Sequence, residues 1–376
     1  MQIARLSDLA DPHACPRLVV KVGSSLLVGH DGPRHAWLTG LVAEIAAARA
    51  RGQEVIIVSS GAIALGASRL GFDKGGRGSL ADAQAAASVG QIALSALWAG
   101  LLEAHGLVAA QLLLTLEDLE DRRRYLNATA TLTRLLDAGA VPVINENDSV
   151  ATQEIRFGDN DRLAARVAQA ARAQAVLLLS DVDGLYDRNP RDPAAKLMPE
   201  VHGVTAEIHA MATGESASGM GSGGMTSKLQ AAEIAERAGI ALVIANGTPD
   251  APIARALDQG VGTLFLPRRK AGARKAWLGG RLRLKGALVV DRGAAQALQK
   301  GSSLLAKGIA AVEGDFQRGD ALAIRDATGT TLAHGLSEYD ADECRRLIGT
   351  HSNEQAAILG YAPRSAMVHR DQLVLL

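Results

Sequence analysis

With 376 residues the chain can hold two domains and a large core, and its 40 lysines and arginines balance its 40 aspartates and glutamates. That balance leaves no global field to attract nucleic acid, a membrane surface or an acidic partner, and at 3% aromatic content there are few platforms for stacking bases. Only Cys15 and Cys344 occur, far apart and matched to no metal-ligand spacing, which argues against a disulfide framework and for a reducing cytoplasm. No basic-then-apolar leader and no run of about twenty apolar residues is visible, so neither a signal peptide nor a membrane span is expected.

The first apolar run, Arg17 to Val22, reads as a buried strand that carries Lys21 near its end and opens into Gly23-Ser24-Ser25. A helical period follows from Leu38 to Arg51, closed by Gly52. Val55 to Val58 is a second strand, which turns through Ser59-Ser60-Gly61-Ala62 into a helix. Beyond a glycine-rich loop at 71–80, the pattern predicts a helix over 82–104, a strand over 107–114, a helix over 118–138 and a strand over 141–144. Asn145 to Asp161 is dense in carboxylates and amides, and its residues 149–157 alternate loosely, as in a small exposed hairpin. A helix from Asn160 leads to a strand over 175–179 that ends in the turn Ser180-Asp181-Val182-Asp183-Gly184-Leu185-Tyr186, and Asn189-Pro190 with Pro193 marks an irregular crossing.

The glycine- and serine-rich stretch 214–228 opens a helix to Ala238, and strands follow at 241–245 and 261–265. Continuous apolar strands alternating with amphipathic helices predict an α/β fold, a three-layer αβα sandwich around a mainly parallel open sheet. The basic, non-periodic run 268–275 marks a boundary, giving a first domain at 1–267, a linker at 268–280 and a second domain at 281–376. In the second domain, short apolar runs recur roughly every ten residues between Gly-Asp and Gly-Thr turns, the texture of a small β-rich barrel.

Four strand ends therefore carry polar or glycine-rich turns, and in open parallel sheets ligands gather at the carboxyl ends of strands. Lys21 would be a point charge for phosphate there, or simply a surface lysine. The glycines before Lys228 could cradle phosphate with backbone N–H groups at a helix start, or form a flexible linker. Gly219-x-Gly221-x-x-Gly224 matches the dinucleotide pattern only literally, since no apolar strand precedes it. Lys228 by itself reads as a solvent lysine. The acidic segment could bind metal, clamp a polar substrate or merely solvate a loop.

Val20-Lys21-Val22-Gly23-Ser24-Ser25, Val58-Ser59-Ser60-Gly61-Ala62-Ile63, Val143-Ile144-Asn145-Glu146-Asn147-Asp148, Gly158-Asp159-Asn160-Asp161 and Gly221-Ser222-Gly223-Gly224-Met225-Thr226-Ser227-Lys228 occur in order. Together they resemble the amino acid kinase family, in its bacterial glutamate 5-kinase branch. Gly301-Ser302-Ser303-Leu304-Leu305, Lys307-Gly308-Ile309 and Ala333-His334-Gly335 are similar to the PUA domain that this branch carries.

The resemblance implies phosphoryl transfer from ATP, with Mg²⁺, to the γ-carboxylate of L-glutamate as the first step of proline biosynthesis. It implies Lys21 and Lys228 as catalytic cations, with Asp161 orienting both. Ser60, Asp148 and Asn160 would hold glutamate, with Asp148 on the α-ammonium, Asn145 and Glu146 assisting and Asp159 nearby. Lys21, Ser180, Asp181 and the run Ser222, Gly223, Gly224, Met225, Thr226, Ser227 and Lys228 would contact ATP. Where the family pattern has Thr, this chain has Ser180 and Ser222, which keep the hydroxyl. No metal site made by protein alone is expected, because Mg²⁺ prefers phosphate oxygens and water with one or two carboxylates.

The resemblance further implies a cytoplasmic homo-oligomer, open to feedback inhibition by proline. Two rivals are a related kinase acting on acetylglutamate, aspartate or carbamate, and an RNA-binding PUA protein. The second lacks the basic footprint that RNA binding needs.

Overall fold

The computed structural model describes residues 3–29, 32–150, 160–212, 224–268, 284–364 and 366–375. The chain divides into two compact units, residues 1–120 with 128–270 and residues 121–127 with 271–376. From residue 269 on, the expected linker lies outside the described residues.

In the first unit the strands of the main sheet are β1 (Arg17–Val22), β2 (Glu54–Ser59), β3 (Ala109–Leu114), β4 (Val141–Glu146), β5 (Ala175–Ser180), β6 (Glu200–His202), β7 (Ala241–Asn246) and β8 (Thr263–Leu266). They form one sheet in the order β3-β4-β2-β1-β5-β7-β8-β6. Every pairing is parallel except β7 with β8. All residues of β4 and β5 are buried, and five of the six in β1, so these strands read as mainly apolar runs rather than alternating ones, with Lys21, Asn145, Glu146 and Ser180 as buried polar residues toward their carboxyl ends. The carboxyl ends of β3, β4, β2, β1, β5 and β7 consequently share one rim.

Helices cover both faces. Leu18, Val20 and Val22 of β1 point into a core with Trp37, Leu38, Leu41, Val42 and Ile45 of α1 (His35–Ala50). After α2 (Ala62–Leu70) comes α3 (Leu80–Glu103), which adds Leu94, Trp98 and Leu102 to that core. The chain continues through α4 (Arg122–Asp137) to α5 (Asn160–Ala171) and α6 (Met225–Ala238). α5 lies against β1 and beside α6, on the opposite side. Lys21 alternates with Val20 and Val22, so its side chain emerges on this second face. α7 (Pro252–Leu257) completes the first core with Ile253, Ala256 and Leu257.

α2 and α3 touch backbone to backbone. A Cβ on Gly66 would run into the carbonyl of Ala86, and one on Gly90 into the carbonyl of Ala62. Gly66→Ala gains about 1 kcal/mol of helix propensity, but it forces the two helices apart, and overpacking a tight interior contact costs about 1–3 kcal/mol or more. A net fall in thermal stability is expected. A higher melting temperature for Gly66→Ala would show that the helices do not meet this closely.

Several sequence expectations need correction. The helix expected over 118–138 is two helices, Leu116–Glu120 and α4, because the Asp121 carboxylate accepts the Arg124 N–H at 2.9 Å and starts a new helix. Asn145 and Glu146 end the strand β4, buried at 2% and 3%, rather than opening a loop. The hairpin expected at 149–157 falls mostly on residues outside those described. α3 is, among the described residues, a helix long and apolar enough to cross a bilayer, with a mean hydropathy of 1.5. Gln84, Ser88, Gln91 and Ser95 interrupt the run and hide that length, while Leu94, Trp98 and Leu102 seat one face of the helix in the core.

The second unit holds β9 (Gly286–Val290), α8 (Arg292–Gln299), β10 (Ile309–Gly314), β11 (Ala321–Arg325), β12 (Thr331–Leu336), α9 (Ala341–Leu347), α10 (Gln355–Leu359) and β13 (Leu373–Leu375). Its sheet runs β10-β9-β11-β12-β13 over a core that includes Leu288, Phe316, Ile324, Tyr339 and Met367. The short apolar runs expected from sequence form β9, β10, β11 and β12. The three helices and β13 were not foreseen, because each is too short to show a period. Cys15 and Cys344 are buried free thiols, and burial pushes each up to about 12.

Candidate active site

The rim of the first unit opens into a cleft. Its lining includes Lys21 and Gly23 to Leu26 after β1, Ser60 and Gly61 after β2, Asn145 and Asp148 at the end of β4, and Ser180 and Asp181 at the end of β5. Asn160 and Asp161 from the start of α5, and Gly224, Met225 and Lys228 from the start of α6, close its side. These positions are scattered over some two hundred residues of chain and converge because six parallel strands end together.

Its centre is a buried charge triad. Lys21 Nζ lies 2.5 Å from Asp161 Oδ1, and Lys228 Nζ donates to Asp161 Oδ2 at 3.1 Å. The two lysine side chains are 9% and 11% exposed and that of Asp161 is 3% exposed. Burial alone would raise the Asp161 pKa, but the charges of Lys21 and then Lys228, with their hydrogen bonds, hold it below the ordinary carboxylate range. Asp161 also sits in the first turn of α5, where the helix dipole favours an anion. One carboxylate serves two ammonium groups on the wall of the cleft. Lys228 is thus no solvent lysine, as its sequence position alone suggested.

Next to the triad, Asn160 Nδ2 donates to Ser60 Oγ at 2.7 Å and to Asn145 Oδ1 at 3.2 Å. Asn145 in turn donates to Gln91 Oε1 at 2.8 Å, which ties the site to α3. Asn160 Oδ1 is buried and has no protein donor among the described residues, so it is an acceptor available to a ligand. Asp148 is partly buried, and burial pushes its pKa up to about 6 against the opposing charge of Arg77. Ser180 Oγ donates to Asp181 Oδ1 at 3.1 Å. Thr226 and Ser227 share the first turn of α6 but are not among the described residues lining the cleft. Asp159, Ser222 and Gly223 lie outside the described residues.

The model of the amino acid kinase family matches residues 16–246, more than half of the chain. The chain belongs to the amino acid kinase family. Residues 286–359 match the PUA domain. A glutamate 5-kinase of Novosphingobium aromaticivorans is 72% identical, with both chains covered over 100% of their length. One of Sphingopyxis alaskensis is 60% identical over 98% of this chain and 100% of the relative. A third, from Zymomonas mobilis, is 54% identical over 97% of this chain and 92% of the relative.

Sequence reasoning did not single out several residues that this kinase fold brings to the cleft. Arg77, Arg188 and Arg191 line it, along with Tyr186 of the strand-end turn. Asp183, after β5, accepts from Arg255 Nη1 at 2.8 Å and from Asn246 Nδ2 at 3.2 Å, which pins the strand-end loop that carries Tyr186. The run Asp181-Val182-Asp183-Gly184-Leu185-Tyr186 was visible as a strand-end turn, but its partner Arg255 is 72 residues away in sequence. Trp98 Nε1, which donates to Ser59 Oγ at 2.9 Å beneath the rim, left no local signal at all.

Proposed function

We propose that the chain transfers the terminal phosphoryl group of ATP to the γ-carboxylate of L-glutamate, giving L-glutamyl 5-phosphate and ADP. The observation that carries this reading is the Lys21–Asp161–Lys228 triad in one cleft with a recessed carboxylate, Asp148, and a vacant acceptor, Asn160 Oδ1. The glutamate 5-kinase relatives support it over the whole chain.

The acceptor needs no general base, because a γ-carboxylate with an ordinary pKa near 4.3 is already ionised at neutral pH. The obstacle is instead repulsion between that anion and the phosphates, so catalysis reduces to alignment and charge neutralisation. Lys21 and Lys228 supply the positive charge, and Asp161 fixes their ammonium groups without exchanging a proton. Asp148 would pair with the α-ammonium of glutamate, and Asn160 Oδ1 and Ser60 would add polar contacts. Ser180, Asp181 and the start of α6, with Ser222 and Gly223 before it, would hold the nucleotide. Bound with the nucleotide, Mg²⁺ would supply further positive charge beside the two lysines.

The same reading makes the protein a cytoplasmic enzyme at the head of proline biosynthesis, a homo-oligomer with proline as its feedback ligand and nucleic acid not among its partners. An ATP- and Mg²⁺-dependent hydroxamate assay tests the acceptor: γ-glutamyl hydroxamate should form from L-glutamate. Turnover of N-acetylglutamate with none of L-glutamate would overturn the assignment.

Asp148 gives a pH signature. Its raised pKa means that it gains a proton as pH falls through about 6 and then cannot pair with an ammonium group. The acid limb of kcat/KM for L-glutamate, which reports free-enzyme ionisations, should therefore lie near pH 6. Asp148→Asn should lower kcat/KM about 10- to 100-fold, the loss of one charge-assisted contact, and should erase that limb. An unchanged limb in Asp148→Asn would assign it to another group.

A further inference from the structure

L-Glutamate carries three charges, and the groups named so far account for two. The triad faces the γ-carboxylate and the phosphates, and Asp148 faces the α-ammonium. The α-carboxylate would enter a partly desolvated cleft without a counter-charge, which is costly unless a cation meets it.

Five cations line the cleft among the described residues: Lys21, Arg77, Arg188, Arg191 and Lys228. Lys21 and Lys228 are committed to Asp161, and Arg188 pairs with Asp187 at 3.2 Å on the loop after β5. Arg77 differs from these three in its partners, and from Arg191 in being the cation whose charge acts on Asp148. Its side chain has no hydrogen-bond or contact ion-pair partner among the described residues, it is exposed, and it is near enough to Asp148 for the two charges to interact.

The loop that carries Arg77 is built to a fixed shape. Gly71, Lys74, Gly75 and Gly76 all have left-handed backbone conformations, with φ of 65°, 53°, 62° and 74°. For Lys74 this is an uncommon state that the surrounding structure must impose. Gly76 is wedged against Ala67 and Ala86, leaving no room for a side chain, so the loop is anchored on α2 and α3 immediately before Arg77.

We propose that Arg77 binds the α-carboxylate of the acceptor, so that Asp148 and Arg77 together read the zwitterionic head of an α-amino acid. An ammonium and a carboxylate on one carbon present opposite charges a few ångströms apart, and a neighbouring carboxylate and guanidinium complement that pair. The planar guanidinium also matches a carboxylate with two parallel donors, which a lysine cannot do. The proposal rests on L-glutamate being the acceptor.

The test compares wild type, Arg77→Ala and Arg77→Lys on L-glutamate and on L-glutamate α-amide, whose head keeps the ammonium but loses the negative charge. The amide is followed as alternative substrate or as competitive inhibitor. For Arg77→Ala, KM for L-glutamate should rise about 10- to 100-fold, with kcat and the KM for ATP little changed. Affinity for the α-amide should stay at its wild-type value, and Arg77→Lys should recover part of the loss. Equal losses for glutamate and amide would mean that Arg77 only shapes the loop or screens Asp148, and would overturn the proposal. So would an unchanged KM for L-glutamate. If the wild-type protein forms no hydroxamate from L-glutamate, the acceptor assignment itself fails, a result distinct from either of these.

Discussion

Asp161→Ala is expected to lower the stability of the folded protein by about 3–5 kcal/mol, the usual consequence of removing one member of a buried ionic group. Lys21 and Lys228 would then face each other's charge in a place where neither is more than 11% exposed. Against a total stability of about 5–15 kcal/mol for an ordinary domain, that loss approaches the whole. Urea unfolding measures it, and Asp161→Asn provides a version that keeps the shape while removing the charge.

The pH dependence has a definite sign. Asp161 is held below its unfolded pKa, so its contribution is present above the unfolded value and is lost as pH falls through the folded one. Acid unfolding of the wild type should draw on this term, and that of Asp161→Asn should not. Both variants should also lose nearly all turnover, since the two ammonium groups are no longer fixed. A variant as stable and active as wild type would remove the triad from the account.

Lys21→Ala should behave differently. Asp161 keeps Lys228 as a partner, so the stability loss should be well below that of Asp161→Ala. The effect should fall on kcat, by about 10²- to 10³-fold, the magnitude seen when one preorganised donor to a developing charge is removed. The KM for ATP should move little, because Lys21 acts where charge builds up in the transition state. Lys21→Arg is not expected to rescue it: the ammonium is a compact point charge buried against Asp161, and a planar guanidinium is larger and places its donors differently. The hydroxamate assay reads kcat directly, and an intact kcat in Lys21→Ala would withdraw that lysine from the chemistry.

The ordering of these effects depends on which charges share a partner, a relation that no linear spacing displays. Lys21, Asp161 and Lys228 are separated by 140 and 67 positions, from the differences of their residue numbers. Their ordered motifs pointed to one family, and the family pattern placed them in one cleft. Burial of Lys228 and the two-to-one pairing on Asp161 became visible only in three dimensions. Arg77 shows the limit most clearly. It follows a glycine-rich loop that reads as an ordinary turn, and its meeting with Asp148 depends on how that loop is wedged against α2 and α3.

The sequence by itself determined the elements. Fully buried parallel strands must be continuous apolar runs, and the polar residues that end them can only lie at a rim, so β1, β2, β4, β5 and β7 and their site-bearing turns were legible. Local chemistry also placed the start of α5 at Asn160 and the end of α6 at Gly239. Tertiary structure decided the rest: the strand order, the antiparallel β8, the burial of Asn145 and Glu146 within a strand, and the backbone contact between α2 and α3. It also decided the protonation behaviour of Asp148 and Asp161. The physical reason is range. Periodicity and turn chemistry act over a few residues, whereas desolvation and charge pairing depend on whatever else the fold brings within a few ångströms.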